Sequence, residues 1–315
     1  MSDPFLVAQA DGAWVRNDLW VPRMDLSRPE LTLGYRQAQA VQAAIAQLQD
    51  LALCPFPTEA ERAAEAMLLE RTPFAGARLT GSGDQAMALA LRFVGGGEVA
   101  RLYGGASVHL PDGCSAVVAG LAGARLAPEG WLGEVSEAAR AAGVPLILDE
   151  RRTGLGRTGK LFAYQHEGLA PDLVVLGEGL GAGVVRAGAL LGPKEVSALE
   201  LEFGAGALAG RCAQVALEQV SELMPTGRAL GKHLFVELRK LPGELVSALD
   251  ALGLYAVLVP HERLGGAEKV ARKLRDAGLF VHVAGSDALH ICPPMTVTAD
   301  ELDWAVGHLH AVLWT

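Results

Sequence analysis

Two patterns of apolar positions follow one another along the chain and predict two kinds of secondary structure. Short continuous apolar runs are typical of strands that are buried on both faces of a sheet. Longer stretches with apolar positions three and four residues apart predict amphipathic helices. Strands are predicted at 14–15, 20–22, 99–103, 115–119, 145–149, 173–176, 187–191, 254–259, 279–283 and 289–292. Helices are predicted at 35–53, 58–70, 86–94, 131–142, 208–224 and 228–241, with a last helix after residue 298.

The order of these elements predicts the fold class. Between residues 99 and 191 the strands are separated by helices or glycine loops, which indicates a mostly parallel sheet covered on both faces. From about residue 208 the pattern changes to helices followed by an α+β region. We therefore predict an α/β fold with a three-layer large domain at 46–215. A smaller α+β domain is predicted from residues 1–45 plus 216–315.

Composition narrows the possible partners and the compartment. The 315 residues are 50% hydrophobic and carry a formal net charge of −9, which argues against a nucleic-acid or membrane-surface partner. The four cysteines are widely spaced and form no Cys-x-x-Cys pair, so reduced thiols are expected rather than disulfides or metal ligands. We see no secretory signal and no apolar run long enough to cross a bilayer, and expect a cytoplasmic protein.

The central part of the chain carries its most specific motifs. Residues 145–150 read Pro-Leu-Ile-Leu-Asp-Glu, and 156–163 read Gly-Arg-Thr-Gly-Lys-Leu-Phe-Ala. Residues 171–183 read Pro-Asp-Leu-Val-Val-Leu-Gly-Glu-Gly-Leu-Gly-Ala-Gly. Together with Pro-Pro-Met-Thr-Val-Thr at 293–298, these runs resemble the class III aminotransferases of the ornithine/acetylornithine type. The resemblance implies fold type I of the pyridoxal 5'-phosphate (PLP) dependent transferases, and a homodimer.

The position that the family uses for covalent chemistry differs here. In the family, the segment matching 171–183 carries the lysine that forms a Schiff base with PLP. That position is Glu178, and a carboxylate cannot form an imine. None of the six lysines is expected to replace it, because all of them read as turn or surface residues: Lys160, Lys194, Lys232, Lys240, Lys269 and Lys273.

Other positions that the resemblance assigns to the cofactor have changed as well. The turn that would cradle the phosphate reads Ser82, Gly83 and Asp84, with an acid in place of a small hydroxyl residue. The stacking aromatic ring is replaced by Val108, beside a retained His109. Only seven residues separate His109 from Val117, so a piece of the large domain is missing and the chain is a shortened member.

Two further positions complete the vestigial site. Asp149, which in the family pairs with the pyridine nitrogen, is retained, and we expect it to pair with Arg152. The threonine that would reach the partner's phosphate is Glu202. Carboxylates at Asp84 and Glu202 beside a phosphate dianion would each raise the free energy by about 3 kcal/mol per unit-charge pair. The sequence therefore predicts that no cofactor binds and that no catalytic residue or metal ligand is present.

Three functional hypotheses remain open. The first is a homologue without transaminase activity that acts as a binding or regulatory protein, with an unknown small molecule or protein as partner. The second is a repurposed pocket, in which the acids would hold a cationic ligand, a hard metal ion or a substrate that needs a general base. The third is a divergent PLP-dependent aminotransferase that moves an amino group between an amine or amino acid and a 2-oxo acid.

Overall fold

The computed structural model describes residues 5–51, 54–201 and 204–314. The strands are β1 (Gln9–Asp11), β2 (Trp14–Arg16), β3 (Pro22–Asp25), β4 (Gly76–Thr80), β5 (Val99–Tyr103), β6 (Ala116–Gly120), β7 (Leu146–Asp149), β8 (Leu173–Leu176), β9 (Gly188–Gly192), β10 (Val246–Leu252), β11 (Tyr255–Pro260), β12 (Leu279–Phe280), β13 (His282–Ala284) and β14 (Ala288–Ile291). The helices are α1 (Ala38–Asp50), α2 (Glu59–Glu70), α3 (Gly83–Phe93), α4 (Trp131–Ala142), α5 (Gly206–Leu238), α6 (Ala267–Asp276) and α7 (Ala299–Trp314).

A six-stranded sheet forms the centre of the molecule, in the order β4-β9-β8-β7-β6-β5. Strands β5, β6, β7 and β8 pair in parallel, and β9 runs antiparallel to both β8 and β4. Successive residues of a strand face opposite sides, so Val117 belongs to one apolar cluster and Val118 to another. One cluster includes residues of α3 and the other includes residues of α2, α4 and α5. The predicted three-layer, mostly parallel α/β fold is confirmed.

Two smaller sheets join distant parts of the chain. The first has the order β1-β2-β3-β12, so strands near the beginning pair with a strand near the end. The second has the order β10-β11-β14-β13 and is antiparallel throughout. None of the helices in the described part of the chain combines the length and apolarity that a bilayer crossing requires. The division into domains at 46–215 and 1–45 plus 216–315 stays a prediction.

One helix is longer than the sequence predicts. The two helices expected at 208–224 and 228–241 are a single helix, α5, with Pro225 inside it. Proline removes one backbone donor and its ring crowds the preceding turn, which costs about 3 kcal/mol in an ordinary helix. Buried residues lie on both sides of it, including Val220 and Leu230. Packing on both flanks therefore keeps the helix continuous where the local sequence favours a break.

Candidate functional site

Four chain segments meet at one edge of the central sheet and bring the candidate site together. Tyr103 is the last residue of β5 and Asp149 the last residue of β7. Glu178 follows β8 by two residues, and Gly83 opens α3 just after β4. The carboxyl edge of a parallel sheet is the usual place for a ligand in open α/β folds, because loops and helix starts converge there. The fold thus places these side chains together by topology.

Arg151 is the central side chain of the site. Its guanidinium donates to both carboxylate oxygens of Asp149, with distances of 2.8 Å from Nε and 2.8 Å from Nη2. Its Nη1 donates to Asp84 at 2.5 Å. The hydrogen bonds with Asp149 raise the pKa of Arg151 above its ordinary value despite partial burial. The predicted pairing of Asp149 with Arg152 is wrong, because the neighbouring arginine takes that place.

Tyr103 adds an aromatic ring and a third hydrogen bond to Asp149. Its hydroxyl donates to Asp149 Oδ2 at 2.9 Å. Burial and the nearby Asp149 charge raise the pKa of Tyr103 to about 12, so the hydroxyl stays protonated and remains a donor. The ring fits against β6 because Gly120 has no side chain; a Cβ there would lie 2.7 Å from Tyr103 Cδ1.

Glu178 binds the start of α3 with its carboxylate. Its Oε1 accepts a hydrogen bond from the Gly83 N–H at 3.3 Å and lies 3.5 Å from Nη2 of Arg186. The first backbone N–H groups of a helix have no partner inside the helix, so they attract anions. Ser82 supplies the ordinary cap, since its Oγ accepts from the Gln85 N–H at 3.1 Å. Glu178 therefore acts as an internal anion at the helix start.

These side chains line a cavity of about 560 Å³ that holds charges of both signs. Its lining combines three carboxylates with three guanidiniums: Glu30, Asp84, Glu178, Arg151, Arg152 and Arg186. Among the described residues the lining therefore carries equal numbers of acids and arginines, while Glu202 lies outside them. Asp149 lies outside this lining and shares Arg151 with Asp84, so the arginines offset only part of the negative charge.

Arg152 lines the cavity from the side of the second small sheet. Its Nη2 lies 2.9 Å from Nε2 of His282 on β13. Arginine can only donate, so His282 accepts through an unprotonated Nε2. Burial and the Arg152 charge both lower the pKa of His282, which agrees with a neutral ring. Arg152 is therefore held in place without a countercharge from this partner.

The other predicted site positions lie elsewhere or outside the described residues. Val108 and His109 are in the loop between β5 and β6, where Val108 is half-buried against the core and His109 is exposed. Neither is among the described residues that line the cavity. Glu202 falls outside the described residues. Ser82, Gly83, Asp84, Asp149 and Glu178 are brought together as the sequence suggested.

Sequence reasoning missed four of the residues that build the site. Tyr103, Arg151, Arg186 and Glu30 all contact or line it. Tyr103 could have been found, because an aromatic residue that ends a predicted parallel strand lies at the ligand edge. Glu30 and Arg186 come from loops distant in sequence, and only the fold brings them near Asp84.

The Gly-Arg-Thr-Gly-Lys motif at 156–160 has a structural role. Arg157 is fully buried and donates from Nε to the Pro29 carbonyl at 3.0 Å and from Nη1 to the Leu254 carbonyl at 3.2 Å. Gly253 fits against the same turn, where a Cβ would lie 2.5 Å from the Thr158 carbonyl carbon. This motif joins three distant loops. None of its residues is among the described residues that line the cavity around Glu178.

Comparison with known proteins places the chain in a family. The family model "Aminotransferase class-III" matches residues 115–313. The chain belongs to the class III aminotransferase family. The ornithine aminotransferase of Oceanobacillus iheyensis is 30% identical over 204 residues, which are 62% of this chain and 50% of that protein. The acetylornithine aminotransferase of Mycobacterium bovis is 32% identical over 230 residues, 70% of this chain and 56% of that protein.

The class III chain spans about half the length of the curated relatives that it matches. Solved structures agree over nearly its full extent. Plasmodium falciparum ornithine delta-aminotransferase superposes with a TM-score of 0.87 at 18% identity, covering 99% of this chain and 94% of that one. N-acetylornithine aminotransferase from Stenotrophomonas maltophilia gives a TM-score of 0.85 at 24% identity, with 98% and 95% covered. At these identities the likeness shows the fold alone.

Family membership corrects the expectation that no cofactor belongs to this chain. The class III model and the aminotransferase relatives make PLP the expected cofactor. A solved relative, the ornithine aminotransferase of Toxoplasma gondii, is described with partial occupancy of PLP at its active site. The expectation paired Arg152 with Asp149 but did not place Arg151 and Arg186 beside the acids of the cavity.

The residues present fit the non-covalent part of a PLP site. The start of α3 offers backbone N–H groups to an anion, and Asp149 lies at the opposite side of the Arg151 side chain. A Cβ on Gly83 would lie 2.9 Å from Arg151 Cδ and from Gly177 Cα, so the helix start packs closely against both residues. Among the described residues that line the cavity there is no lysine.

Proposed function

We propose that this class III homologue has no transaminase activity and acts as a binding or regulatory protein. The proposal rests on the carboxylate of Glu178, which the resemblance assigns to the lysine position and which contacts Gly83 and Arg186. A transaminase joins its cofactor and its amino substrate in turn through an imine, and that step requires a primary amine. A carboxylate at this position cannot supply that amine.

PLP is the ligand class against which the site is best tested. When bound, PLP would supply an electron sink for a carbanion. In this chain we propose that its phosphate would lie toward the N–H groups of α3 and Arg186, with its ring nitrogen toward Asp149. Arg151 would have to leave Asp149 to admit that ring, because it uses both carboxylate oxygens. Such binding would be reversible and would leave the aldehyde free.

A divergent active transaminase is the competing function. It is favoured by one observation, the retention of Asp149 at the sheet edge within a family of aminotransferases. The relatives are an ornithine and an acetylornithine aminotransferase, so an ω-amino acid is the natural substrate to try. Under this alternative one of the six lysines would have to reach the cofactor. Lys160, in the turn after Arg157, instead donates to the Gln165 carbonyl at 2.8 Å.

We also propose that the chain forms a homodimer. Helix α1 exposes Ile45 and Leu48, of which 55% and 51% of the surface is accessible, and Trp20, between β2 and β3, is 68% accessible. Large apolar side chains exposed in this way mark contact surfaces, and a symmetric dimer is the commonest assembly. Light scattering should give twice the mass of the monomer, and Leu48→Glu should shift the equilibrium toward monomer. A wild-type monomer at micromolar concentration would contradict this proposal.

The experiment that tests the proposal compares wild type with two substitutions at Glu178. Purified protein is mixed with equimolar PLP, treated with borohydride and analysed by mass spectrometry and peptide mapping. We expect reversible binding by dialysis and no site-specific reduced adduct in wild type. Glu178→Lys should form one adduct at residue 178 together with the visible absorption of an imine, whereas Glu178→Gln should not. The result that would reject the proposal is a stoichiometric adduct at a wild-type lysine together with amino transfer from ornithine to a 2-oxo acid.

A further inference from the structure

Three metal-ligating side chains from two helices meet away from the cavity that Glu178 lines. His233 and Glu237 belong to the last part of α5, and Asp303 belongs to the second turn of α7. One ligand atom from each lies within 4.8 Å of the other two. The closest pair is His233 Nε2 and Asp303 Oδ1, at 2.6 Å. None of the three lines the cavity that holds Glu178.

We propose that His233, Glu237 and Asp303 form a binding site for a divalent transition-metal ion such as Zn²⁺. An imidazole and two carboxylates are ligands that Zn²⁺ accepts, and a water molecule would complete four-coordination. The sequence predicted no metal ligands because it contains no short ligand motif around residue 303. The site spans 70 residues between His233 and Asp303, and only the packing of α7 on α5 brings them together.

The helix geometry favours shared coordination of one ion. His233 and Glu237 are four residues apart on α5, and residues at this spacing lie on one face of a helix about one turn apart. Asp303 approaches the same face from α7, so the three ligands come from both sides of a helix–helix contact. A bound ion would therefore join α7 to α5. We expect it to stabilise the attachment of this helix, because an ion that binds only the folded state raises its stability.

A cation already occupies part of this position in the structure. The Lys240 ammonium donates to both carboxylate oxygens of Glu237, at 2.5 Å and 2.6 Å. Lys240 is exposed and lies three residues after Glu237, so it can turn away into solvent. The metal would replace this ammonium on Glu237 and would add the bonds from His233 and Asp303. Lys240 is therefore a built-in competitor for the site.

Metal binding to the tag-free full chain tests the proposal. Titration calorimetry with Zn²⁺ and the visible spectrum with Co²⁺ should show one site per chain. Loss of a group that merely orients a ligand weakens metal affinity by about 10–100-fold, so His233→Ala should weaken Zn²⁺ binding at least tenfold. His310→Ala, on an exposed position of α7, is the matched control and should leave the affinity unchanged. Zn²⁺ should also raise the melting temperature of wild type and of the control, but not that of His233→Ala.

Lys240→Ala supplies a second measurement that does not depend on removing a ligand. It should bind Zn²⁺ several-fold more tightly than wild type, because Glu237 no longer has an ammonium partner. Equal affinities for wild type and His233→Ala would overturn the proposal, as would the lack of one-site Co²⁺ absorption at millimolar metal. Weaker Zn²⁺ binding by Lys240→Ala would overturn it too, since the ammonium and the ion could not then share Glu237. These readouts do not involve PLP, so they stand apart from the proposed function.

Discussion

Arg151 and Asp149 form a two-pronged ion pair at the carboxyl edge of the central sheet, with both hydrogen bonds 2.8 Å long. Only 7% of the Asp149 side chain is exposed, compared with 26% of that of Arg151. The carboxylate therefore depends on this arginine and on Tyr103 for its countercharge and its hydrogen bonds. The pair links the stability of the fold to the state of the candidate site.

Removal of the Arg151 charge should destabilise the protein. Breaking a fully buried ion pair costs about 3–5 kcal/mol, and the partial exposure of Arg151 reduces this, so we expect about 2 kcal/mol for Arg151→Met. Urea unfolding measures the change. Arg152→Met is the control, because its partner His282 is neutral and should lose less from the change. The double variant Asp149→Asn/Arg151→Met should recover part of the loss; strict additivity would contradict a coupled pair.

His290 should make the protein sensitive to mild acid. It is fully buried, and burial lowers its pKa from 6.5 to about 4. The Ala124 carbonyl can only accept, so Nε2 donates to it and Nδ1 accepts from the Tyr255 hydroxyl at 2.9 Å. The unfolded chain binds the proton more tightly, so stability is lost as the pH falls from about 6.5 to about 4. The loss is on the order of 3 kcal/mol.

The variant His290→Gln isolates this effect. Glutamine keeps one acceptor and one donor but does not titrate in this range. Its free energy of unfolding should fall less steeply than that of wild type between pH 6.5 and pH 4, even if it is less stable at pH 7. Parallel pH profiles for the two proteins would show that His290 is not the group responsible.

Pro225 should lower the stability of α5 without a compensating contact. The residue is exposed in the interior of the helix and has no N–H for the Ser221 carbonyl. Pro225→Ala should restore that hydrogen bond and raise the free energy of unfolding by about 1 kcal/mol, less than the full helix penalty because alanine also makes the unfolded chain more flexible. Thr226→Ala, at the next exposed position, serves as the control and should have little effect. A decrease in stability for Pro225→Ala would mean that the helix requires its proline.

Gly210 marks the closest approach of α2 and α5. A Cβ at this position would lie 2.6 Å from the Ala60 carbonyl carbon and from the Glu61 nitrogen, both of them backbone atoms. Gly210→Ala should therefore destabilise the protein by about 1–3 kcal/mol. A Cβ added to Gly307, in α7, would meet no described atom within 4 Å, so Gly307→Ala should instead stabilise by up to about 1 kcal/mol. Thermal unfolding of the two variants should shift in opposite directions.

The local pattern of the sequence predicted the buried elements well. The bounds of β8 and α4 agree with the structure to the residue, because a continuous apolar run and a clear helical period identify them. The helices predicted from 58 and after 298 each begin with a capping box, in which Glu61 and Glu301 accept from the backbone of Thr58 and Thr298. The pattern failed to predict elements whose structure depends on tertiary packing rather than on local sequence. The strand β10 has no fully buried residue, and neither the strand nor its pairing with β11 was predicted.

The sequence predicted which chain segments form the site, but it did not predict which of two neighbouring arginines contacts Asp149. Asp149 and Glu178 were singled out because the resemblance assigns both positions to the cofactor, and in the structure they lie at or just after the ends of β7 and β8. The choice between Arg151 and Arg152 depends on which way each side chain leaves the turn after β7, and sequence does not give that direction. The cytoplasmic location stays a prediction.

Because Glu178 is part of the chain, its carboxylate competes with any soluble anion that reaches the start of α3. A carboxylate that is covalently tethered near its binding partner competes at an effective concentration in the millimolar range, with no entropy of association left to lose. A free phosphate or phosphate ester must therefore displace the Glu178 carboxylate, which cannot diffuse away. Occupancy of the helix start should rise when Glu178 is neutralised by substitution, and it should fall with increasing ionic strength.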